Sequence, residues 1–154
     1  YGIDVSIVRY FTVFGPAGRP DMSIFRFARG IIEETPITVT GDGTQSRDFT
    51  YVDDIARGTV LALKPLGFKV INLGGGRTPS SINDLVAFIE ARTGKKAILL
   101  HAPMAREDMV STWAEIGRAA DLLGWSPQVT LEEGLDLTMD WHLANRDFVA
   151  SCRP

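Results

Sequence analysis

VSIVRYFTVFGPAGRPDM, residues 5–22, joins an apolar run to a loop that is broken by glycine and proline. Val5, Ile7 and Val8 predict a buried strand, which the glycines and prolines that follow cannot continue. Loops at the end of buried strands are where α/β proteins place ligand-contacting groups. Thr12 and Arg19 are therefore the first candidate binding residues. The alternative is an ordinary strand-to-helix connection in which Arg19 is solvated.

The composition suits a single soluble α/β domain over residues 1–154, with 45% hydrophobic and 23% charged residues. A net charge of −3 argues against nucleic acid or an anionic membrane as partner, so an anionic ligand would need local arginines. The sequence has no signal-peptide pattern and no apolar run of the roughly 18–20 residues that span a membrane, and we expect a cytoplasmic protein. One cysteine, Cys152, and two distant histidines predict neither a disulfide framework nor a metal site.

Apolar periodicity and capping signals predict the remaining elements. Asp53 is the expected cap of the second helix, whereas Ser81 with Asp84 and Thr130 with Glu133 form capping boxes. The predicted helices cover 23–34, 53–64, 82–93, 116–123 and 131–146, and the predicted strands cover 37–40, 46–51, 69–73 and 98–101.

Two glycine pairs, Gly41-x-Gly43 and Gly74-x-Gly76, superficially suggest a dinucleotide-binding loop. That fingerprint needs a third small residue and a helix whose N-terminus faces the pyrophosphate. The first pair leads into an extended segment, and Pro79 follows the second pair after two residues. Both pairs are predicted to be turns.

Residues 9–22, RYFTVFGPAGRPDM, resemble the loop after the sixth strand of extended short-chain dehydrogenase/reductases of the NAD-dependent epimerase/dehydratase family. Among the branches of this family, the sequence of residues 9–22 is most similar to that of the UDP-glucuronate 4-epimerases, since epimerases of neutral sugars usually carry Asn in place of Thr12. The resemblance implies that Thr12 and Arg19 bind substrate, with Arg19 at the sugar carboxylate. It also implies that Tyr10 and Phe11 contact the cofactor NAD.

Residues 47–54, RDFTYVDD, resemble the family signature Arg-Asp-Phe/Tyr-x-x-Val-Asp-Asp. A guanidinium beside a helix N-terminus lies in positive potential that suits an anion. The resemblance implies that Arg47 contacts the diphosphate of a nucleotide sugar. The alternative is a surface ion pair between Arg47 and Asp48 or Asp54.

A third segment, residues 103–108, PMARED, is similar to the family's ribose-binding Pro-x-x-x-Gly-Asp segment. Asp108 matches the aspartate of that pattern and is a candidate substrate-binding residue. Glu107 replaces the glycine, Ala105 stands where an arginine is common, and Arg106 is displaced by one position. The sequence therefore leaves open which residues contact the ribose.

The family's catalytic Tyr-x-x-x-Lys pair is missing, because Val5, Phe14 and Ile55 stand four positions after the three tyrosines. No catalytic residue is assigned. The resemblance implies an α/β fold made of the last Rossmann strands plus a small mixed α/β substrate-binding domain. It also implies a fragment of a longer enzyme, without the N-terminal dinucleotide-binding half and inactive by itself.

The function implied by the resemblance is nucleotide-sugar binding within an NAD-dependent UDP-sugar 4-epimerase. The reaction would interconvert UDP-glucuronate and UDP-galacturonate through a 4-keto sugar, in a homodimeric parent enzyme. Alternatives are a sugar-nucleotide dehydratase or decarboxylase of the same family, or a stand-alone, non-catalytic nucleotide-sugar binding module. The remaining aromatic candidates are assigned to packing: His101, His142, Trp113, Trp125 and Trp141.

Overall fold

The computed structural model describes residues 2–104 and 108–152. Strands and helices are mixed throughout this part of the chain, as the sequence predicts. In chain order they are β1 (Val5–Tyr10), β2 (Val13–Phe14), α1 (Ser23–Glu33), β3 (Pro36–Thr40), β4 (Ser46–Arg47), β5 (Thr50–Tyr51), α2 (Val52–Leu61), β6 (Phe68–Leu73), β7 (Ser80–Ser81), α3 (Ile82–Thr93), β8 (Ile98–Ala102), α4 (Gly117–Leu123), α5 (Leu131–Ala144) and α6 (Arg146–Ser151).

The strands of the described residues are joined in pairs. Three pairs are parallel, β1 with β6, β2 with β5 and β3 with β8, while β4 and β7 are antiparallel. Parallel partners need crossover connections, and helices provide them here, with α1 and α2 lying between β1 and β6 in sequence. The chain is therefore an α/β structure, as predicted.

Buried side chains form two clusters. The larger one packs α1, α3 and α5 around β3, with Ile31, Leu85 and Ile89 fully buried at its centre. The smaller one packs α2 and α4 against β6, around Leu73 and Trp125. The loop that follows β2 leads to α1, and at Gly15 it lies against Val52 of α2.

The prediction that Val5 and Ile7 are buried is wrong. Their exposed fractions are 39% and 43%, whereas Val8 packs against the smaller cluster. Side chains of a strand alternate between its two faces, so only one face of β1 meets the helices. Phe68, which pairs with Val5 in β6, is also exposed.

The capping boxes are confirmed, but the predicted cap at Asp53 is wrong. The Ser81 and Thr130 side chains accept hydrogen bonds from the third residues of α3 and α5, and those residues bond back. At α2 the cap position is Tyr51, which makes no side-chain capping bond, and Asp53 lies inside the first turn. A carboxylate there still interacts favourably with the helix dipole.

The packing predictions succeed for three of the five aromatic candidates. Trp125 and His142 are buried, and the Trp141 ring makes edge-to-face contacts with His142 and Phe148. Trp113 is 60% exposed, so its assignment to packing is wrong. His101 is also exposed, and its Nδ1 lies 2.9 Å from the Gly41 carbonyl oxygen.

Candidate functional site

A cavity of about 640 Å³ lies under the loop that follows β2, and we call it the Thr12 cavity. Its walls come from the ends of β1 and β2, the loop, the start of α1, and one face of α5. Thr12 and Arg19 both contribute to it, and Tyr10 and Phe11 line it as well. The other lining residues are Val13, Phe14, Gly15, Pro16, Ala17, Gly18, Met22, Ser23, Ile24, Phe25, Phe49, Val52, Thr138 and His142.

The loop over this cavity is held by aromatic packing at its base. Phe14 is buried and contacts Phe49 and Tyr51 edge to face, with ring centroids 6.1 and 5.8 Å apart. A Cβ atom on Gly15 would lie 2.6 Å from Val52 Cγ1, so glycine is needed where the loop leaves β2. Ala17 has a φ of 53°, which is uncommon for a residue other than glycine. The loop is therefore fixed at its base and locally strained at its tip.

Arg19 pairs with Asp21 in this structure. Its Nε and Nη2 atoms donate to the two carboxylate oxygens at 3.1 and 2.5 Å. The pair is largely exposed, and the guanidinium lowers the pKa of Asp21 by hydrogen bonding. This arrangement corresponds to the alternative in which Arg19 is tied within its loop and solvated. A ligand carboxylate would have to share the guanidinium with Asp21.

Tyr10 and Phe11, the candidate cofactor residues, stand at the carboxyl end of β1. The Tyr10 hydroxyl lies 3.0 Å from Thr59 Oγ1 on α2, while the Phe11 ring packs beside Gly74. The carboxyl ends of parallel strands are where α/β folds bind ligands. Both glycine pairs are turns or loops, as predicted, so the described residues contain no pyrophosphate-binding glycine loop.

Arg47 lies in a second, smaller cavity of about 130 Å³, which we call the Arg47 cavity. Its Nη1 atom donates to its neighbour, the Ser46 carbonyl oxygen, at 2.8 Å. The alternative ion pair with Asp48 or Asp54 is not formed, since both carboxylates have other partners. The rest of the lining comes from Asp48, Phe49, Gly75, Arg77, Thr78, Ser80, Pro127, Val129, Leu131 and Glu132.

The two cavities share Phe49 as a lining residue, so they are neighbours. A second arginine, Arg77, lines the Arg47 cavity, and sequence reasoning missed it. Its position directly after three glycines is the only signal that could have drawn attention to it. The two guanidiniums are the groups of this cavity that could bind an anion, although the carboxylates of Asp48 and Glu132 line it as well.

Asp48 is a buried carboxylate that joins three chain segments beside these cavities. Its Oδ2 atom accepts from the backbone N–H groups of Gly76 at 3.0 Å and Ala114 at 2.9 Å. Burial raises the pKa of Asp48, and the backbone N–H donors oppose that rise. A Cβ atom on Gly75 would lie 2.0 Å from its Oδ1, so the approach is possible only with glycine. Asp48 therefore holds the loop that carries Arg77 against the strand that carries Arg47.

Asp108, the remaining candidate, is exposed and lines neither cavity. The structure does not bring it to the other candidate residues. The three positions at which its segment departs from the family pattern, 105–107, lie outside the described residues.

Within residues 2–104 and 108–152, no three His, Cys, Asp or Glu side chains come together as a potential metal site. None of the helices in the same residues is long and apolar enough to span a bilayer.

Residues 1–74 match the family described as the NAD dependent epimerase/dehydratase family. A UDP-glucuronate 4-epimerase of Thermodesulfobacterium geofontis is 54% identical over 153 residues, which are 99% of this chain and 47% of that protein. The chain spans about half the length of the curated relatives that it matches.

Two solved structures have the same fold over most of the chain. The UDP-glucuronic acid 4-epimerase of Bacillus cereus, in complex with UDP-glucuronic acid and NAD, is 43% identical with a TM-score of 0.86. The alignment covers 92% of this chain and 46% of that one. A UDP-glucose 4-epimerase of Thermotoga maritima, solved with UDP-glucose, is 30% identical with a TM-score of 0.88, covering 95% of this chain and 48% of that one.

Proposed function

This chain belongs to the NAD dependent epimerase/dehydratase family, and on that premise we propose that it is the nucleotide-sugar-binding part of a UDP-sugar 4-epimerase. The proposed reaction interconverts UDP-glucuronate and UDP-galacturonate through a 4-keto sugar. The dinucleotide-binding half and the Tyr-x-x-x-Lys pair belong to a part of the enzyme that these residues do not contain. The complete enzyme is proposed to be a homodimer.

The observation that carries the proposal is the arrangement of two neighbouring cavities around Phe49. Thr12 and Arg19 line the larger one, and Arg47 lines the smaller one. A nucleotide sugar has a hydroxylated, in this case anionic, sugar at one end of a diphosphate. The sugar is assigned to the Thr12 cavity and the diphosphate to Arg47, where a guanidinium can bind phosphate oxygens in a bidentate manner.

The residues of this chain would form only one side of an NAD-binding site. Tyr10 and Phe11 line the Thr12 cavity at the carboxyl end of β1, which fits contacts to the cofactor near the sugar. NAD, when bound, accepts a hydride from C4 of the sugar and returns it to the opposite face. The contribution of these residues is to bind and orient the sugar beside it.

Titration calorimetry with UDP-glucuronate, UDP-galacturonate and ADP-glucose tests the proposal on the chain itself. We expect both uronates to bind and ADP-glucose to bind much more weakly. The protein that joins this chain to its dinucleotide-binding half is expected to interconvert the two uronates with NAD. A dehydrated or decarboxylated product in that assay would contradict the epimerase assignment, and equal binding of all three ligands would contradict the assignment of UDP-uronates as the preferred ligands.

Replacing Arg19 by alanine is expected to change sugar selectivity. The variant should lose roughly tenfold to hundredfold in affinity for UDP-glucuronate, the range for one charge-assisted hydrogen bond, and little for UDP-glucose. Only the uronate offers a carboxylate to the guanidinium. Calorimetric titration with both ligands gives the ratio of affinities.

The matched control for Arg19 is Arg26→Ala, which removes an exposed arginine of α1 that lines neither cavity. We expect Arg26→Ala to leave both affinities unchanged. An unchanged affinity ratio in Arg19→Ala would mean that Arg19 serves only its pair with Asp21.

Replacing Arg47 by alanine is expected to weaken binding of UDP and of every UDP-sugar by about 1.5–3 kcal/mol, because the diphosphate is common to all of them. The fold should be retained, since the Arg47 side chain bonds only to its neighbour Ser46 within the described residues. Titration with UDP measures the effect, and circular dichroism checks the fold. An unaltered dissociation constant would place the diphosphate elsewhere.

A further inference from the structure

His142 is the buried polar side chain that the proposed function leaves without a role. It lies on α5 with an exposed fraction of 1%, and neither Nδ1 nor Nε2 has a hydrogen-bond partner among the described residues. Buried polar groups nearly always have partners, and an unsatisfied one costs stability. The Thr50 hydroxyl is likewise without a partner, but it lines neither the Thr12 cavity nor the Arg47 cavity.

His142 is one of the two α5 residues that line the Thr12 cavity, together with Thr138. The Phe25 ring packs against it with centroids 4.7 Å apart, and Trp141 packs at 5.3 Å. It also lines a separate cavity of about 220 Å³ between α1 and α6. His142 is therefore packed against two rings beside two cavities, and its ring nitrogens are shielded in the ligand-free chain, so that a ligand group reaches them only when the side chain shifts.

The surroundings determine the charge of this imidazole. Burial lowers the pKa of His142 to about 4, because aromatic neighbours do not solvate a charged ring. A neutral imidazole carries one N–H donor and one acceptor nitrogen. A hydroxyl group suits a neutral imidazole best, because it can both donate and accept a hydrogen bond. Sugars carry several hydroxyl groups.

We propose that His142 is a hydrogen-bond partner of a sugar hydroxyl at the inner end of the Thr12 cavity. This inference rests on the proposed function and deepens it, since it assigns a contact to the hydroxyl groups of the sugar rather than to its carboxylate. A nucleotide sugar would then be recognised at three points: its diphosphate at Arg47, its carboxylate at Arg19 and a hydroxyl at His142.

The chain offers a clean spectroscopic test because it contains only two histidines. The chain is labelled with ¹⁵N-histidine, and the ring nitrogen signals are followed while UDP, UDP-glucose or UDP-glucuronate is added. Both nucleotide sugars are expected to shift the His142 ring nitrogens, and UDP alone is not. His101 is the internal control, since it is exposed and hydrogen-bonded near Gly41, away from the cavity.

The outcomes separate this inference from the proposed function. If the amide signals of Thr12 and Arg19 shift with UDP-glucuronate while His142 does not, the inference is overturned and the proposed function stands. An equal His142 shift with UDP alone would also overturn it, since the sugar would not be the group in contact. If no signal of the chain moves with any of the three ligands, both proposals fail.

A pair of variants distinguishes binding from packing. His142→Leu is expected to raise the dissociation constant of UDP-glucuronate about fivefold to tenfold, the loss of one neutral hydrogen bond, without changing that of UDP. Its denaturation midpoint should stay the same or rise, because no hydrogen bond within the described chain is lost. His142→Gln keeps a donor and an acceptor and should recover part of the affinity. A lower midpoint with unchanged affinity in His142→Leu would indicate a packing role and contradict the proposal.

Discussion

Replacing Trp125 by alanine is expected to lower the free energy of unfolding of the chain by about 3–5 kcal/mol, the range for removing a large aromatic side chain from a core. Trp125 is fully buried at the centre of the smaller cluster, against α2, α4 and β6. Its indole Nε1 donates to the Asp54 carbonyl oxygen at 2.9 Å. Truncation therefore leaves both a cavity and a buried carbonyl without its donor.

Urea denaturation followed by circular dichroism measures this change, and Trp113→Ala is the matched control. Trp113 is 60% exposed, so its truncation should change the free energy of unfolding by less than about 0.5 kcal/mol. The free energy of unfolding of Trp125→Phe should lie between those of wild type and Trp125→Ala, because phenylalanine keeps an aromatic ring but lacks the indole N–H donor. Equal effects at Trp113 and Trp125 would contradict the placement of Trp125 in the core.

Replacing Asp54 by alanine is expected to lower the free energy of unfolding by about 3 kcal/mol, the lower end of the range for breaking a buried ion pair. Its carboxylate is 3% exposed and receives Arg57 Nη2 at 2.5 Å. The other oxygen accepts from the backbone N–H groups of Gln128 and Val129 at 2.9 and 3.0 Å. The lower end applies because Arg57 is one-third exposed and also donates to the Ser126 carbonyl oxygen, so its charge keeps other partners.

Asp53→Ala is the matched control, since Asp53 is adjacent, exposed and makes no capping bond. Only the modest helix-dipole contribution, about 0.3–1 kcal/mol, should be lost there. Thermal denaturation of both variants compares them directly. A larger loss of stability in Asp53→Ala than in Asp54→Ala would contradict this prediction. It would mean that the two aspartates stabilise the start of α2 rather than the connection to the loop before α5.

Asp54 also affects the proposed binding site through that loop. Pro127 and Val129 line the Arg47 cavity, and Asp54 holds the backbone of Gln128 between them. An aspartate at the start of a helix could cap the helix or fix a neighbouring loop. The structure gives it the second role, through contacts 74 and 75 positions away in sequence.

Much of the local structure could be predicted from the sequence. The capping boxes at Ser81 and Thr130, and the buried stripe of α3, depend on residues within one or two turns of each other. The strand predicted over 98–101, which the structure extends to Ile98–Ala102, and the glycine turns also depend on residues close in sequence. Helix ends proved less predictable: α2 begins one residue before Asp53 and ends at Leu61, three residues before the predicted end, and α6 was not foreseen.

The residues of the candidate site could likewise be predicted only in part. The sequence of residues 9–22 indicated the family resemblance together with Thr12 and Arg19, and that of residues 47–54 indicated Arg47. All three line two adjoining cavities. Asp108 was brought forward by the same reasoning and lies apart from them. His142 was correctly assigned to packing, but no local pattern indicates that its ring nitrogens have no partner among the described residues.

The sequence alone thus determined most of the element types, the loop that carries Thr12 and Arg19, and the family resemblance, because short-range spacing and short motifs specify these. Only the tertiary structure decided that Val5 and Ile7 are exposed and that Asp48 joins three segments. It also decided that both ring nitrogens of His142 are buried and have no hydrogen-bond partner among residues 2–104 and 108–152. The physical reason is that burial and hydrogen-bond satisfaction depend on which distant segments meet, and residues more than one hundred positions apart, such as Phe25 and His142, become neighbours only when the layers pack.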